Sequence, residues 1–230
     1  MKIPRNKTLF FWTFLMLTVA CSQTHSVPVE FSISQGVINK MDFSSVGIQP
    51  GQQLPDITFY TLDGEAFNLS KIKHIRPKLL ITGSYTCDIT REKLYTIDWF
   101  YEQYKEKADI YLINTLEAHP QSSPSPYSMS EVPWPAIDNI QAGITAEQPR
   151  TMDERIGLAE KWIKEEKIKT PVLLDGPKNE FWNLAGQAPN MAILISSSGG
   201  VVLKQSWFDE QEIKETMEIQ LKNLNLPQNK

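Results

Sequence analysis

Two apolar runs too short to be helices set the class of this chain. Residues 78–84 (KLLITGS) and 109–114 (DIYLIN) are continuous and rich in Leu and Ile, as expected of strands buried on both faces. Between them, residues 90–107 carry Leu94, Ile97, Tyr101 and Tyr104 at helical spacing, with charges between. Strand, helix, strand in that order predicts an α/β domain.

The flanking segments extend the pattern. Residues 54–60 (LPDITFY) alternate as a strand, and Asp63-Gly64 is a hairpin signal leading into residues 65–69. After the second buried run, residues 152–166 read as a helix and 171–174 as a third short strand. Residues 180–186 form a short helix or turn. Residues 191–195 are a fourth strand, turned by Ser198-Gly199-Gly200 into an antiparallel partner at 201–205, and residues 210–224 close as a helix. A short strand is also expected at 29–33. Residues 120–150, rich in Pro and Ser, are a long insert without periodicity, and such loops are often functional. The expected fold class is α/β, with a central mixed sheet flanked by helices and an inserted Pro/Ser-rich loop. That element order matches a thioredoxin-like fold.

The N-terminus reads as an export signal. Lys2, Arg5 and Lys7 precede an apolar stretch at residues 9–20, shorter than the roughly 20 residues that span a bilayer. It ends in Leu17-Thr18-Val19-Ala20-Cys21, which resembles the bacterial lipobox, whose cysteine becomes the lipidated first residue. The expected organisation is a signal peptide over 1–20, a lipid-anchored tether over 21–45 and one domain over 46–226. Ser22 after the cysteine fits sorting to the outer membrane, so the expected location is the bacterial cell envelope, periplasm-facing or on the outer membrane. Lipidation at Cys21 leaves Cys87 as the single thiol, because the chain has two cysteines. A net charge of −4 without a dense basic patch argues against nucleic acid as a partner. No His/Cys cluster has metal-ligand spacing, so no metal site is expected.

Three local stretches resemble the iodothyronine deiodinase family, within the redoxin branch of the thioredoxin superfamily. GSYTCD (residues 83–88) is similar to that family's Gly-Ser-Cys-Thr-Sec-Pro, which places Cys87 at the selenocysteine. EAHP (117–120) is similar to its Glu-Ala-His segment. EQPRTMDERIGLAEKW (147–162) is similar to its Gln-His-Arg-Ser-Leu-Glu-Asp-Arg-Val run. Residues 187–195 resemble the redoxin cis-proline strand, which implies a cis bond before Pro189 and places that residue against the thiol. Four positions depart from the family. Cys87 replaces selenocysteine, Tyr85 a second cysteine, Pro149 a histidine and Asp88 a proline.

Position alone makes Cys87 a candidate nucleophile. It follows a central strand and precedes a helix, where ligand groups of open α/β sheets collect and unpaired N–H groups stabilise a thiolate. Asp88 works against it, raising the thiol pKa and competing for the same N–H groups. Ser84 and Thr86 carry hydroxyls that can donate to the thiolate or a bound oxyanion, or cap the local turn. With the resemblance, His119 becomes a proton donor to a leaving group or an ion partner of the thiolate, and Glu117 its orienting carboxylate. Tyr85 and Pro189 are expected at the substrate, and Arg155 pairs either with a substrate carboxylate or phosphate or with a helix neighbour. Trp134 walls a pocket or covers the core.

Two functions follow. One is a cell-envelope oxidoreductase in which Cys87 attacks a halogenated aromatic, a peroxide or a disulfide, with no bound cofactor and an external thiol as reductant. Its partners are a small-molecule substrate and a thiol donor, and a homodimer is compatible with it. The other is a non-catalytic surface lipoprotein that uses the redoxin scaffold to bind a partner through the insert.

Overall fold

A computed structural model describes residues 26–30, 43–72, 75–128 and 132–225. Cys21, His25, His74 and residues 31–33 of the expected N-terminal strand lie outside them. Among the described residues, no helix is long and apolar enough to cross a membrane.

Seven strands form one mixed sheet: β1 (Thr58–Tyr60), β2 (Ala66–Asn68), β3 (Lys78–Gly83), β4 (Asp109–Asn114), β5 (Val172–Leu174), β6 (Ala192–Ile195) and β7 (Val201–Gln205). Their order is β2-β1-β5-β4-β3-β6-β7. β3, β4 and β5 are parallel neighbours, while β6 and β7 run antiparallel on the far side of β3. The hairpin β1–β2 turns at Gly64, whose φ of 77° is the left-handed conformation glycine tolerates best. It joins the sheet through Tyr60 opposite Leu174. Of the alternating stretch 54–60 only its last three residues are strand. Leu54 instead donates its N–H to Gly199 O at the turn between β6 and β7.

The helices are α1 (Asp88–Tyr104), α2 (Ile137–Ala142), α3 (Met152–Glu166), α4 (Glu180–Ala185) and α5 (Glu210–Asn225). Leu94, Ile97, Phe100 and Tyr104 of α1 are buried with Trp162 of α3 and Ile213 and Met217 of α5, over Leu79, Ile81 and Leu112 of the sheet. Tyr101, expected in that stripe, is only half-buried, and Phe100 takes the deeper place. Phe181 and Ala185 of α4 pack with Leu80, Ile113 and Ile193, the residues of alternate parity. One sheet face therefore carries α1, α3 and α5, and the other α4, as side-chain alternation along a doubly covered sheet requires.

The insert is not structureless. It contains α2, closed by Gly143 at φ 67°, and hydrogen bonds tie it to the ends of β3 and β4. Because β3, β4 and β5 are parallel, their C-terminal ends share one rim. The Cys87 turn, the insert and the turn at Asp175 all rise from it.

Candidate functional site

Cys87 is the N-cap of α1, with extended backbone (φ −78°, ψ 102°). A cap accepts from the N–H groups that a helix start leaves unpaired. Here the acceptor is Sγ, which takes the Thr90 N–H at 3.4 Å and the Thr90 hydroxyl at 3.1 Å. Asn190 Nδ2 donates in turn to Thr90 Oγ1 at 3.1 Å, so a chain of donors from the segment just before β6 ends on the sulfur. Gly83 makes this approach possible. A Cβ there would lie 2.6 Å from Thr90 Cγ2 and 3.0 Å from the Trp162 ring.

The thiol itself is sealed. Cys87 is 1% exposed, in a small apolar cluster with Leu116, Ala118, Tyr127 and Trp182. Tyr127 comes from the insert. Its hydroxyl accepts from Trp182 Nε1 at 3.0 Å and donates to Gln187 O at 2.9 Å, which fixes the ring in the cluster. Burial pushes the Cys87 thiol up to about 12. The charges of Asp88 and Glu117 push the same way, against the two bonds from Thr90. Among the described residues no second cysteine accompanies it.

Glu117 is fully buried and holds the turn rather than His119. Its carboxylate accepts from the Tyr85 N–H (3.3 Å), the Thr86 N–H (2.7 Å) and the Thr86 hydroxyl (2.6 Å). Burial raises its pKa, while those donors and the Arg155 charge oppose the rise. Thr86 Oγ1 also accepts from the His119 N–H, so the Thr86 hydroxyl serves the turn and not the sulfur. Ser84 is likewise structural, its Oγ accepting from the Ala118 N–H at 3.3 Å.

His119 does not reach the thiol. Leu116 and Ala118, of the opposite parity, face Cys87, whereas the imidazole turns outward. Its Nε2 lies 3.3 Å from Asp88 Oδ1, and its Nδ1 lies 2.8 Å from Trp134 O. The Trp134 ring packs edge-on against it with centroids 4.8 Å apart. Trp134 therefore covers the rim, and Asp88 is engaged by the histidine expected to serve Cys87. Tyr85 departs further from expectation. Its ring goes under α3, where the hydroxyl donates to Glu165 Oε2 at 2.6 Å and Lys161 sits over the ring face.

Arg155 does not pair with a neighbour on its own helix but reaches across to another turn. It has no exposed surface, and its guanidinium donates to Asp175 O, Gly176 O and Asn179 Oδ1 in the turn after β5. Thr90, Asn139, Tyr127 and Asn190 are not among the site residues expected from the sequence. Thr90 alone had a local signal, standing three residues after an N-cap. Asn139 on α2 links insert and turn, donating to Thr86 O at 2.7 Å while accepting from Arg91 at 2.7 Å.

No protein-family model matches the chain, and no curated protein does. Solved structures do. A putative thiol:disulfide interchange protein DsbE from Chlorobium tepidum aligns at a TM-score of 0.53 and 17% identity, over 76% of this chain and 99% of that one. A thiol:disulfide interchange protein from Bacteroides sp. aligns at 0.51 and 17%, over 79% and 94%. The C-terminal domain of a putative thiol-disulfide oxidoreductase from Bacteroides thetaiotaomicron aligns at 0.51 and 15%, over 79% and 99%.

The fold is thioredoxin-like.

As the sequence has it, Cys87 is followed by Asp88, Ile89 and Thr90, so no cysteine pair stands at the start of α1. Within that fold one expectation changes. No peptide bond among the described residues is cis, so Pro189 enters β6 through a trans bond. The reversal before it is made by Gly186 and Gln187, both at positive φ (119° and 68°). Pro189 is buried, and its neighbour Ala188 accepts from Thr82 Oγ1. No group of three His, Cys, Asp or Glu among the described residues is placed to hold a metal ion.

Proposed function

We propose that this chain is a cell-envelope lipoprotein, anchored through Cys21, that uses a redoxin scaffold to bind a partner rather than to exchange thiols and disulfides. The observation that carries the reading is the state of Cys87. Its sulfur is buried under Tyr127, raised to about 12 by desolvation and two carboxylates, and has no resolving thiol beside it among the described residues. A thiolate is the nucleophile of every thiol reaction considered, and this environment keeps the proton on sulfur at neutral pH. The insert supplies the binding face. It exposes Val132, Trp134, Ile137 and Ile140 while its inner side, through Asn139 and Tyr127, closes the thiol pocket.

One observation favours a second reading, the thiol-dependent oxidoreductase of deiodinase type. Sγ already accepts two hydrogen bonds at a helix N-terminus, the arrangement that stabilises a thiolate once solvent enters. In that reading a lifted insert admits a halogenated aromatic, peroxide or disulfide, and an external thiol returns Cys87 to its reduced form.

Turnover separates the two. Wild type and Cys87→Ser are compared for reduction of a disulfide, a peroxide and an iodinated phenol, with dithiothreitol as donor. The binding reading expects equal rates, matching the protein-free blank. A Cys87-dependent rate with any of these substrates establishes the oxidoreductase instead.

A further inference from the structure

The described N-terminal segment is tied to the same rim as the thiol. Pro28 bridges Thr151 in antiparallel register. The Val29 N–H donates to Arg150 O, the Met152 N–H to Val27 O and the Glu30 N–H to Pro177 O. Asn179 Nδ2 adds a bond to Glu30 O, and Val29 is buried beside Met152 and Leu174. These partners lie at the start of α3 and in the turn after β5, both at the C-terminal ends of the parallel strands. Residues 26–30 are thus a strap across the Cys87 rim, two strands away from the thiol.

Only Ser22, Gln23, Thr24 and His25 separate Cys21 from the first residue of that strap. Five chain steps fully extended cover at most about 18 Å. β3 and β4, six residues each, make the sheet about 20 Å tall. A lipid on Cys21 therefore reaches the bilayer beside this rim, and the tether is too short to let the opposite rim face it. The rim also carries a group of exposed apolar side chains, others lying elsewhere on the surface at Ile75, Tyr95 and Trp99. Trp134, Ile137 and Ile140 are 45%, 72% and 60% exposed, and Val132 joins them at 48%. Ile137 and Ile140 stand one turn apart on α2, whose inner side holds Asn139 against Thr86. A tryptophan with aliphatic neighbours at a lipid–water boundary buries its ring among headgroups and acyl ends at small desolvation cost.

We infer that the rim bearing the insert lies against the lipid surface, so that α2 and Trp134 rest in the headgroup zone and the capped Cys87 pocket faces the bilayer. This deepens the anchored-binding reading and rests on it, naming the lipid surface as what the insert meets.

The test uses the acylated protein in vesicles of phosphatidylethanolamine and phosphatidylglycerol (3:1) containing a headgroup-nitroxide lipid. A fluorophore is placed through Ile140→Cys or Ile75→Cys, each with Cys87→Ala. Ile75 is 77% exposed just before β3, on the opposite rim. Quenching at least threefold stronger at 140 than at 75 is expected. Equal quenching, or stronger quenching at 75, overturns the orientation. Protection of 140 that appears only when envelope proteins are added overturns it too, in favour of a protein partner. The mass of the Cys21 peptide is measured in the same sample. An unacylated Cys21 removes the anchor and the orientation together, whereas an acylated Cys21 without differential quenching removes the orientation alone.

Discussion

Two turns on the same rim are each held by a buried carboxylate, yet they are built differently. After β5, Asp175 accepts from the Gly176, Phe181 and Trp182 N–H groups at 2.8, 3.0 and 2.8 Å. All three lie within seven residues of it, so the turn and the start of α4 carry their own acceptor. Arg155 then clamps the carbonyls of the same turn, opposing the burial that lifts Asp175 to about 6. After β3 the acceptor is Glu117, more than thirty residues along the chain, and the turn's outer carbonyl is closed by Asn139 from further still. The local turn is self-sufficient. The thiol turn has a local cap from Thr90 but needs β4 and the insert in place as well, so the shape of the Cys87 site depends on tertiary contacts that the other turn does without.

The largest way to break the comparison is Glu117→Leu. It strands two N–H groups and a hydroxyl in a dry site, at a cost of about 3–5 kcal/mol by urea unfolding. Asp175→Leu is expected to cost a similar amount, but in the surviving folded protein only the Glu117 change increases alkylation of Cys87. Gly83→Ala follows at about 2–3 kcal/mol, because its Cβ meets Thr90 Cγ2 and the Trp162 ring. That change also displaces the hydroxyl that donates to Sγ.

A smaller effect sharpens the role of the insert. Asn139→Ala removes the bond to Thr86 O and the one accepted from Arg91, which keeps its ion pair with Glu166, costing about 1–2 kcal/mol. Its signature is local: a tenfold or greater rise in Cys87 alkylation with an almost unchanged midpoint of global unfolding, as expected when a lid opens without the core. Thr90→Val is the mildest, about 1 kcal/mol, and pushes the thiol pKa higher still by removing a donor. The stability of the wild type also falls in alkali. The folded thiol's pKa lies above that of the unfolded chain, so its contribution is complete below about pH 8.5 and is lost as pH rises toward 12. Cys87→Ala flattens that limb of the curve, which chemical denaturation between pH 8 and 11 measures.

The same contrast explains what could be read from the sequence. Continuous apolar runs, helical periodicity, Asp63-Gly64 and Ser198-Gly199-Gly200 are local signals, and the strands and helices they announce are all present in the sheet order described. Cys87, Glu117 and Thr86 were legible as residues of one rim because they follow adjacent parallel strands. Their partners were not, since Glu117 binding a backbone turn and His119 turning out to Asp88 and Trp134 depend on which side chain faces inward beyond a strand's end. Asn139 and Tyr127 sit in a Pro/Ser-rich stretch with no period, where only the packed structure distinguishes a latch from a loop residue. The trans bond at Pro189 and the burial of Arg155 are likewise outcomes of packing.

The central claim is that Cys87 is a capped, protonated thiol, and its alkylation rate against pH tests it most directly. The acylated protein is treated with iodoacetamide from pH 6 to 11, and modification is followed by mass at the Cys87 peptide. The account predicts slow reaction with no inflection near 8.5, rising only in strong alkali, and a marked acceleration in Asn139→Ala. A fast reaction in the folded wild type with a midpoint below 8.5 would contradict it and make Cys87 an activated nucleophile.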